Sequence, residues 1–199
     1  MADLGTPIYQ TLRPIAEELH GARVLLRRYH REDAPSLQEA VAESRDQLRL
    51  WESFGDAFQT LAETEDWIIR RTASWLLRQR LSLGMWESQS GRYLGQLELW
   101  PRGPAGWAIP AFELAYWVRQ SEQGKGYATE GVRLLTDYAF QSLGAQRVEL
   151  GIDAKNVRSI AVARRCGFVL EGCLRHTGIE EDGVLVDNLI FALIPADPQ

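Results

Sequence analysis

Cysteine is scarce in this 199-residue chain, with Cys166 and Cys173 its only two. Two thiols cannot build the dense disulfide framework of a small secreted domain, and their spacing is not the CxxC of a zinc or thioredoxin-like site. Long hydrophobic runs are also missing, since no stretch approaches the roughly 18 apolar residues of a membrane span. The opening MADLGTPIYQ has no basic leader followed by an apolar segment, so it does not read as a signal peptide. A cationic excess is lacking too: 22 Lys plus Arg stand against 27 Asp plus Glu, a net charge of -5. That balance speaks against a nucleic-acid-coating surface. No His/Asp/Glu grouping has metal-ligand spacing. The expectation is a cytoplasmic protein with no metal, no membrane contact and no direct nucleic-acid partner.

What is present suffices for a substantial core, because 45% of the residues are apolar and 7 Trp, 6 Tyr and 6 Phe are among them. Alternating or β-rich segments predict seven strands, at residues 23–29, 83–88, 93–100, 112–118, 147–153, 168–175 and 184–194. The second, third and fourth read as antiparallel partners, joined by the turn at 88–92 and the Pro/Gly-rich stretch at 101–110. Residues 34–79 read as helical with a break around 53–58, and Asp33 is the expected N-cap. A helix over 128–143 ends at Gly144, a short one over 159–166 ends at Gly167, and the turn 180–183 joins the last strands. This mixed order is α/β or α+β around one continuous core, without regular βαβ alternation. No linker or repeat divides it. A single domain over 21–195 is expected, with an arm at 1–20 and a tail at 196–199.

The sharpest local signal runs from Val118 to Ala128, VRQSEQGKGYA, between a strand and the best helix. Gly124 and Gly126 let backbone approach a ligand, and the first helical turn leaves N–H groups for phosphate oxygens. The same glycines would also serve an ordinary tight connection. Lys125 and Arg119 can add charge. A P-loop does not fit, because Lys125 lies between the glycines and no Ser or Thr follows to hold magnesium. The dinucleotide fingerprint fails as well, since Thr129 occupies the third glycine's place.

The run Gln123-Gly124-Lys125-Gly126-Tyr127-Ala128 resembles the Q/R-x-x-G-x-G/A motif of the GCN5-related N-acetyltransferases, whose loop wraps the pyrophosphate of coenzyme A. A second stretch, Asn156-Val-Arg-Ser159 followed by a helix ending in Gly167-Phe168, resembles that family's N-x-x-[S/A] helix. Val169-Leu-Glu-Gly172, Asp182-Gly183, Asp187 and the opening Gly21-Ala-Arg-Val-Leu-Leu-Arg27 look like the RimJ/RimL branch, which acetylates N-terminal amines of ribosomal proteins. The resemblance covers roughly residues 20–194. It implies an acyl-CoA N-acyltransferase fold: a mixed sheet of about seven strands, splayed between strands 4 and 5 and flanked by helices.

It also implies direct attack of a neutral amine on acetyl-CoA. The reaction needs a base for the amine, polarisation of the carbonyl and a proton for the leaving thiolate. Backbone N–H groups of Tyr116, Trp117 and Val118 would bind the pantetheine arm and acetyl carbonyl, and residues 123–128 the pyrophosphate. Asn156 would either bond the pantetheine or only turn the chain. Ser159 would either cap a helix or protonate the thiolate. Many relatives place a tyrosine for that proton seven residues after the asparagine, where Ala163 stands here. Glu113 is the candidate base or a solvent-facing strand residue. Trp51, His176, Glu180 and Asp187 are candidates for the acceptor site, with Asp187 as well suited to bonding loop amides. Trp67 and Trp75, with Trp51, read first as core. The acceptor would be a peptide or protein N-terminus, such as that of a ribosomal protein, or a small amine. A CoA-binding sensor without catalysis is the third reading, and a homodimer is a family-based expectation.

Overall fold

The structure is a computed structural model and describes residues 10–51, 58–102, 107–179 and 183–195, the Trp51 side chain excepted. Its strands are β1 (Glu18–His20), β2 (Val24–Arg28), β3 (Leu81–Glu87), β4 (Tyr93–Pro101), β5 (Ala111–Val118), β6 (Arg147–Asp153), β7 (Val169–Ile179) and β8 (Leu185–Leu193). The helices are α1 (Ala34–Trp51), α2 (Leu61–Leu76), α3 (Tyr127–Gln141) and α4 (Val157–Arg165). All eight strands join one sheet in the order β1-β2-β3-β4-β5-β6-β8-β7. Each neighbouring pair is antiparallel except β5 and β6, which run parallel.

The seven expected strands are all found, and the three central ones pair antiparallel as expected. The eighth is β1, the last three residues of the expected arm. Three residues are too few for an alternation to be legible. Pairing with β2 makes them a strand. The described part of the arm is also pinned from outside, where Tyr138 Oη accepts from the Ala16 N–H and the Arg78 guanidinium donates to the Arg13 carbonyl.

Helices pack on both faces of the sheet at β3 and β4, so these two strands are buried along nearly their whole length, polar Ser82, Gln96 and Glu98 included. On one face Val132, Leu135 and Ala139 of α3 and Val162 and Ala163 of α4 pack with Leu97, Phe112 and Leu114. On the other, Leu37 and Val41 of α1 and Ile68 of α2 pack with Tyr29, Trp86, Tyr93 and Trp117. α2 starts at a capping box, in which Thr60 accepts from the Glu63 N–H and Glu63 reaches back to the Thr60 N–H.

Asp33 does not cap α1. Its carboxylate turns back to accept from the His30 N–H at 2.8 Å and pairs with Arg27 at 2.7 and 2.8 Å. A short 3-10 turn over Arg31–Asp33 leads into α1 instead. At the other end of the chain, α4 begins two residues ahead of Ser159, because Asn156 is its N-cap. Gly144 and Gly167 close α3 and α4 with positive φ, 70° and 88°.

Candidate functional site

The two edges of β5 differ. Toward β4 it is paired without a break from Phe112 to Val118. Toward β6 the pairing is confined to Ala111, Phe112 and Glu113, opposite Arg147, Val148 and Glu149. Past Glu113 the strands part, as the expected splay between the fourth and fifth of the seven predicted strands requires. The Arg119 N–H still donates to the Leu94 carbonyl of β4 at 2.8 Å. Backbone groups alternate direction along a strand. Trp117 therefore also faces β4, while Tyr116 and Val118 turn their N–H and C=O groups into the opening. Val118 shows this directly, its carbonyl accepting from Gln123 Nε2 at 2.9 Å.

The segment after β5 turns back at the mouth of the opening. Gly124 and Gly126 take φ of 74° and 88°, where L side chains are strained. Gly126 is the N-cap residue of α3 and supplies no side-chain acceptor. Glu130 N–H is the first amide of that turn to find a helical carbonyl, that of Gly126 at 3.1 Å. The N–H groups of Tyr127, Ala128 and Thr129 thus converge at a helix start without a capping side chain, an arrangement suited to anionic oxygens.

The side chains around this loop mostly hold it in place. Lys125 bonds Glu122 at 2.8 Å, and buried Glu122 also takes Arg92 at 2.9 Å. Tyr127 Oη donates to Glu87 at 2.7 Å. Arg23 reaches over from the start of β2, donating to Glu130 at 2.9 Å and to the Lys125 carbonyl at 3.0 Å, with its guanidinium over the Tyr127 ring. Arg119, proposed from sequence as a cofactor contact, is buried and spent on α1, where it bonds Glu39 and Glu43. Burial alone would raise the Glu43 carboxyl, but hydrogen bonds from Ser121 and Arg119 outweigh it and hold the pKa below the ordinary range. Gln123 is a crossing point, donating to Gln47 of α1 and accepting from Arg158 of α4 at 3.0 Å.

α4 forms the far wall. Asn156 Oδ1 accepts from the Ser159 N–H at 3.0 Å, so the asparagine is the cap and Ser159 stands at the third helical position. The capping alternative for Ser159 is thereby corrected. Its hydroxyl is instead 2.8 Å from the Tyr116 phenol oxygen. Tyr116 shares strand parity with Phe112, Leu114 and Val118, all packed toward α3 and α4. Its side chain crosses the opening from β5 to α4. Sequence reading assigned Tyr116 only through its backbone, and it missed Arg158, Arg23 and Gln47 altogether. Strand parity was a legible signal for Tyr116, while the others lie on elements whose mutual approach no local pattern encodes.

Glu113 has the opposite parity and projects from the other face of the sheet. It sits at the last β5–β6 pair, where Arg102 bridges it at 3.3 Å and Glu149 at 2.6 Å. Burial pushes its carboxyl above the usual range, Arg102 opposes this and Glu149 adds to it. Glu113 and Ser159 are thus not brought together side by side. Asp187 serves the backbone: its carboxylate accepts from the His176 N–H at 3.0 Å and lies 3.7 Å from Cys173 Sγ. That contact holds a bulge in β7 where His176 has φ of 56°. The His176 side chain is exposed beside a shallow depression lined by Cys173, Leu174, Arg175 and Thr177. Trp75 is a buried core residue, and half-buried Trp67 packs edge-on against Tyr29 and Phe58 at the core's margin. The Trp51 side chain and Glu180, with Glu181 and Asp182 of the expected turn, lie outside the described residues. Among the described residues no helix is long and apolar enough to cross a membrane, and no group of three or more His, Cys, Asp or Glu could hold a metal ion.

Comparison with known proteins bears on this geometry. A probable N-acetyltransferase of Bacillus subtilis (strain 168), YjcK, is 31% identical over 118 residues, covering 58% of this chain and 62% of that protein. The ribosomal-protein-serine acetyltransferase of Escherichia coli (strain K12) is 33% identical over 82 residues, 41% of this chain and 46% of that protein. The matched part thus spans less than two thirds of either relative. Among solved structures, Mycobacterium smegmatis RimJ in complex with CoA-disulfide shares the fold, with a TM-score of 0.81 at 24% identity over 92% of this chain and 90% of the other. Residues 23–169 match the family model described as Acetyltransferase (GNAT) domain. That span takes in the parted strands, the glycine loop and the Asn156–Ser159 helix start, and the chain belongs to the GNAT acetyltransferase family.

Proposed function

We propose that the protein transfers the acetyl group of acetyl-CoA to a primary amine, the α-amine of a protein or peptide, by direct attack with both substrates bound. One observation carries this reading. The half-open edge of β5, the uncapped start of α3 and the Ser159 hydroxyl on α4 all border a single opening. The chemistry of these groups fits acetyl-CoA. Converging N–H groups at residues 127–129 suit a pyrophosphate, the backbone groups of Tyr116 and Val118 suit an amide-bearing arm and thioester carbonyl, and a hydroxyl donor suits a leaving sulfur. Asn156 keeps its amide nitrogen for the same arm while its oxygen caps α4. The direct charge neutralisation expected of Arg119 drops out of the proposal, since that guanidinium is committed to α1.

Glu113 is the base in this reading, acting through water from the opposite face of the sheet, where an acceptor would enter without displacing the CoA arm. Its raised pKa suits a general base better than that of an ordinary exposed carboxylate. The name of the Escherichia coli ribosomal-protein-serine acetyltransferase and the resemblance of Val169–Gly172 to the RimJ/RimL branch support an acceptor on a ribosomal protein. The Escherichia coli spermidine N(1)-acetyltransferase, 41% identical over 54 residues, makes a small amine the alternative. Thiol release from acetyl-CoA against N-terminal peptides and small amines tests this. The expected result is turnover with peptides. Turnover confined to small amines would replace the acceptor, and tight CoA binding without turnover on any amine would leave only a cofactor-binding role.

A further inference from the structure

We infer that Tyr116 is a positioning residue for proton delivery, supplying through Ser159 the proton that the departing thiolate takes up. The inference rests on the acetyltransferase reading above and extends it to a side chain that reading does not use. Its ground is geometric. Tyr116 lies three residues past the last β5–β6 pair, and its ring spans the opening to place the phenol oxygen 2.8 Å from Ser159 Oγ. The serine is itself fixed, because its N–H is bonded to the Asn156 cap. Both residues are half-buried, reachable by a ligand arm yet partly screened from water. One helical turn further on, fully buried Ala163 contributes only a methyl group to the core.

Acid strength explains why a serine alone is a poor donor here. A free thiol has a pKa of about 8.5 and a phenol about 10, whereas an unassisted alkyl hydroxyl is far weaker than either. A serine that loses its proton to sulfur must recover one at the same moment. The adjacent phenol can give it. As the amine nitrogen bonds to the acetyl carbon, the C–S bond breaks and its electron pair stays on sulfur. The Ser159 hydroxyl proton moves to sulfur, and the Tyr116 phenol proton moves to Ser159 Oγ. The phenolate then takes a proton from water, which balances the proton the new amide nitrogen has released to solvent through the base. Either oxygen can donate in the Tyr116–Ser159 bond. The relay uses the direction in which the phenol donates, freeing the serine hydroxyl for the sulfur.

The experiment measures single-turnover acetyl transfer from the preformed acetyl-CoA complex for the unaltered protein, Tyr116→Phe, Ser159→Ala and the double variant, in H2O and D2O. Phe keeps the ring packing, so acetyl-CoA affinity should stay within about threefold. Each single change should slow transfer by about 100-fold, the lower range for a lost proton donor. The double variant should be scarcely slower than either single one, since the two residues act as a unit. The solvent isotope effect should shrink in all three. A Tyr116→Phe rate within twofold of the unaltered protein would overturn the relay. So would fully additive losses, or a change in affinity alone. Absence of turnover in the unaltered protein would overturn the acetyltransferase reading itself, and the relay with it.

Discussion

The wing of the sheet from β1 to β5 and the wing from β6 to β7 are built to different specifications. β3 and β4 are buried almost throughout, sandwiched between helices. β7 is exposed at nearly every position and carries Val169, Leu170, Leu174 and Ile179 on its surface. The wings meet in parallel register over only three residues, and Arg102 ties Glu113 to Glu149 at the last of them. The lesson is that this fold gives up hydrogen bonds at one seam between a tightly packed half and an open one. Every group proposed to handle the cofactor borders that seam.

Matched glycine substitutions test the contrast most severely. Gly95 of β4 has φ of 149°, and a Cβ there would lie 2.2 Å from the Trp117 carbonyl oxygen. Gly95→Ala should cost on the order of 3 kcal/mol and lower Tm by about 6–12 °C in thermal unfolding. Gly172 of exposed β7 has nothing within 4 Å of such a Cβ. Gly172→Ala should change stability by no more than about 0.5 kcal/mol. Equal effects would mean the two wings are packed alike.

At the seam, Glu113→Gln should reduce kcat/KM by about 100-fold, roughly 2.7 kcal/mol of barrier. Sign and direction follow from its raised pKa. A base must be ionised, so activity of the unaltered protein should rise with pH through a value above the ordinary glutamate range, and the Gln variant should lose that limb. An unchanged profile would remove Glu113 as base and leave it as the Arg102 partner. Gly126→Ala is milder. Its φ of 88° strains any side chain, and the movable Arg23 guanidinium is the one contact at 3.2 Å. Acetyl-CoA affinity measured by calorimetry should fall about tenfold, near 1.4 kcal/mol, and the left-handed strain of about 1–2 kcal/mol should lower Tm by about 2–8 °C. Asn156→Ala should be smaller still in stability, about 1 kcal/mol for the lost cap of α4. It should also slow transfer by releasing Ser159.

Much of this was legible in the sequence, and what was not has a physical reason. Period-2 and period-3.6 patterns located the strands and helices, because each element buries one or both faces against its neighbours. The Gln123–Ala128 motif fixed the loop, since positive φ at 124 and 126 demands glycine. The splay itself came from family resemblance, as no residue pattern announces missing hydrogen bonds. Local chemistry also misled. Asp33, expected to cap α1, is drawn back to Arg27 of β2, and Ser159 leaves the capping to Asn156. The Tyr116–Ser159 bond and the Arg119 ties to Glu39 and Glu43 join residues 43, 80 and 76 positions apart. Only the assembled fold brings such pairs together.

The central claim is that acetyl-CoA is held where β5 parts from β6. Amide hydrogen exchange with and without CoA tests it residue by residue. The account predicts new protection at the Tyr116 and Val118 amides and at residues 127–129, with β7 unchanged. Protection confined to α1 and α2 or to β7, with the β5 edge exchanging as before, would contradict it.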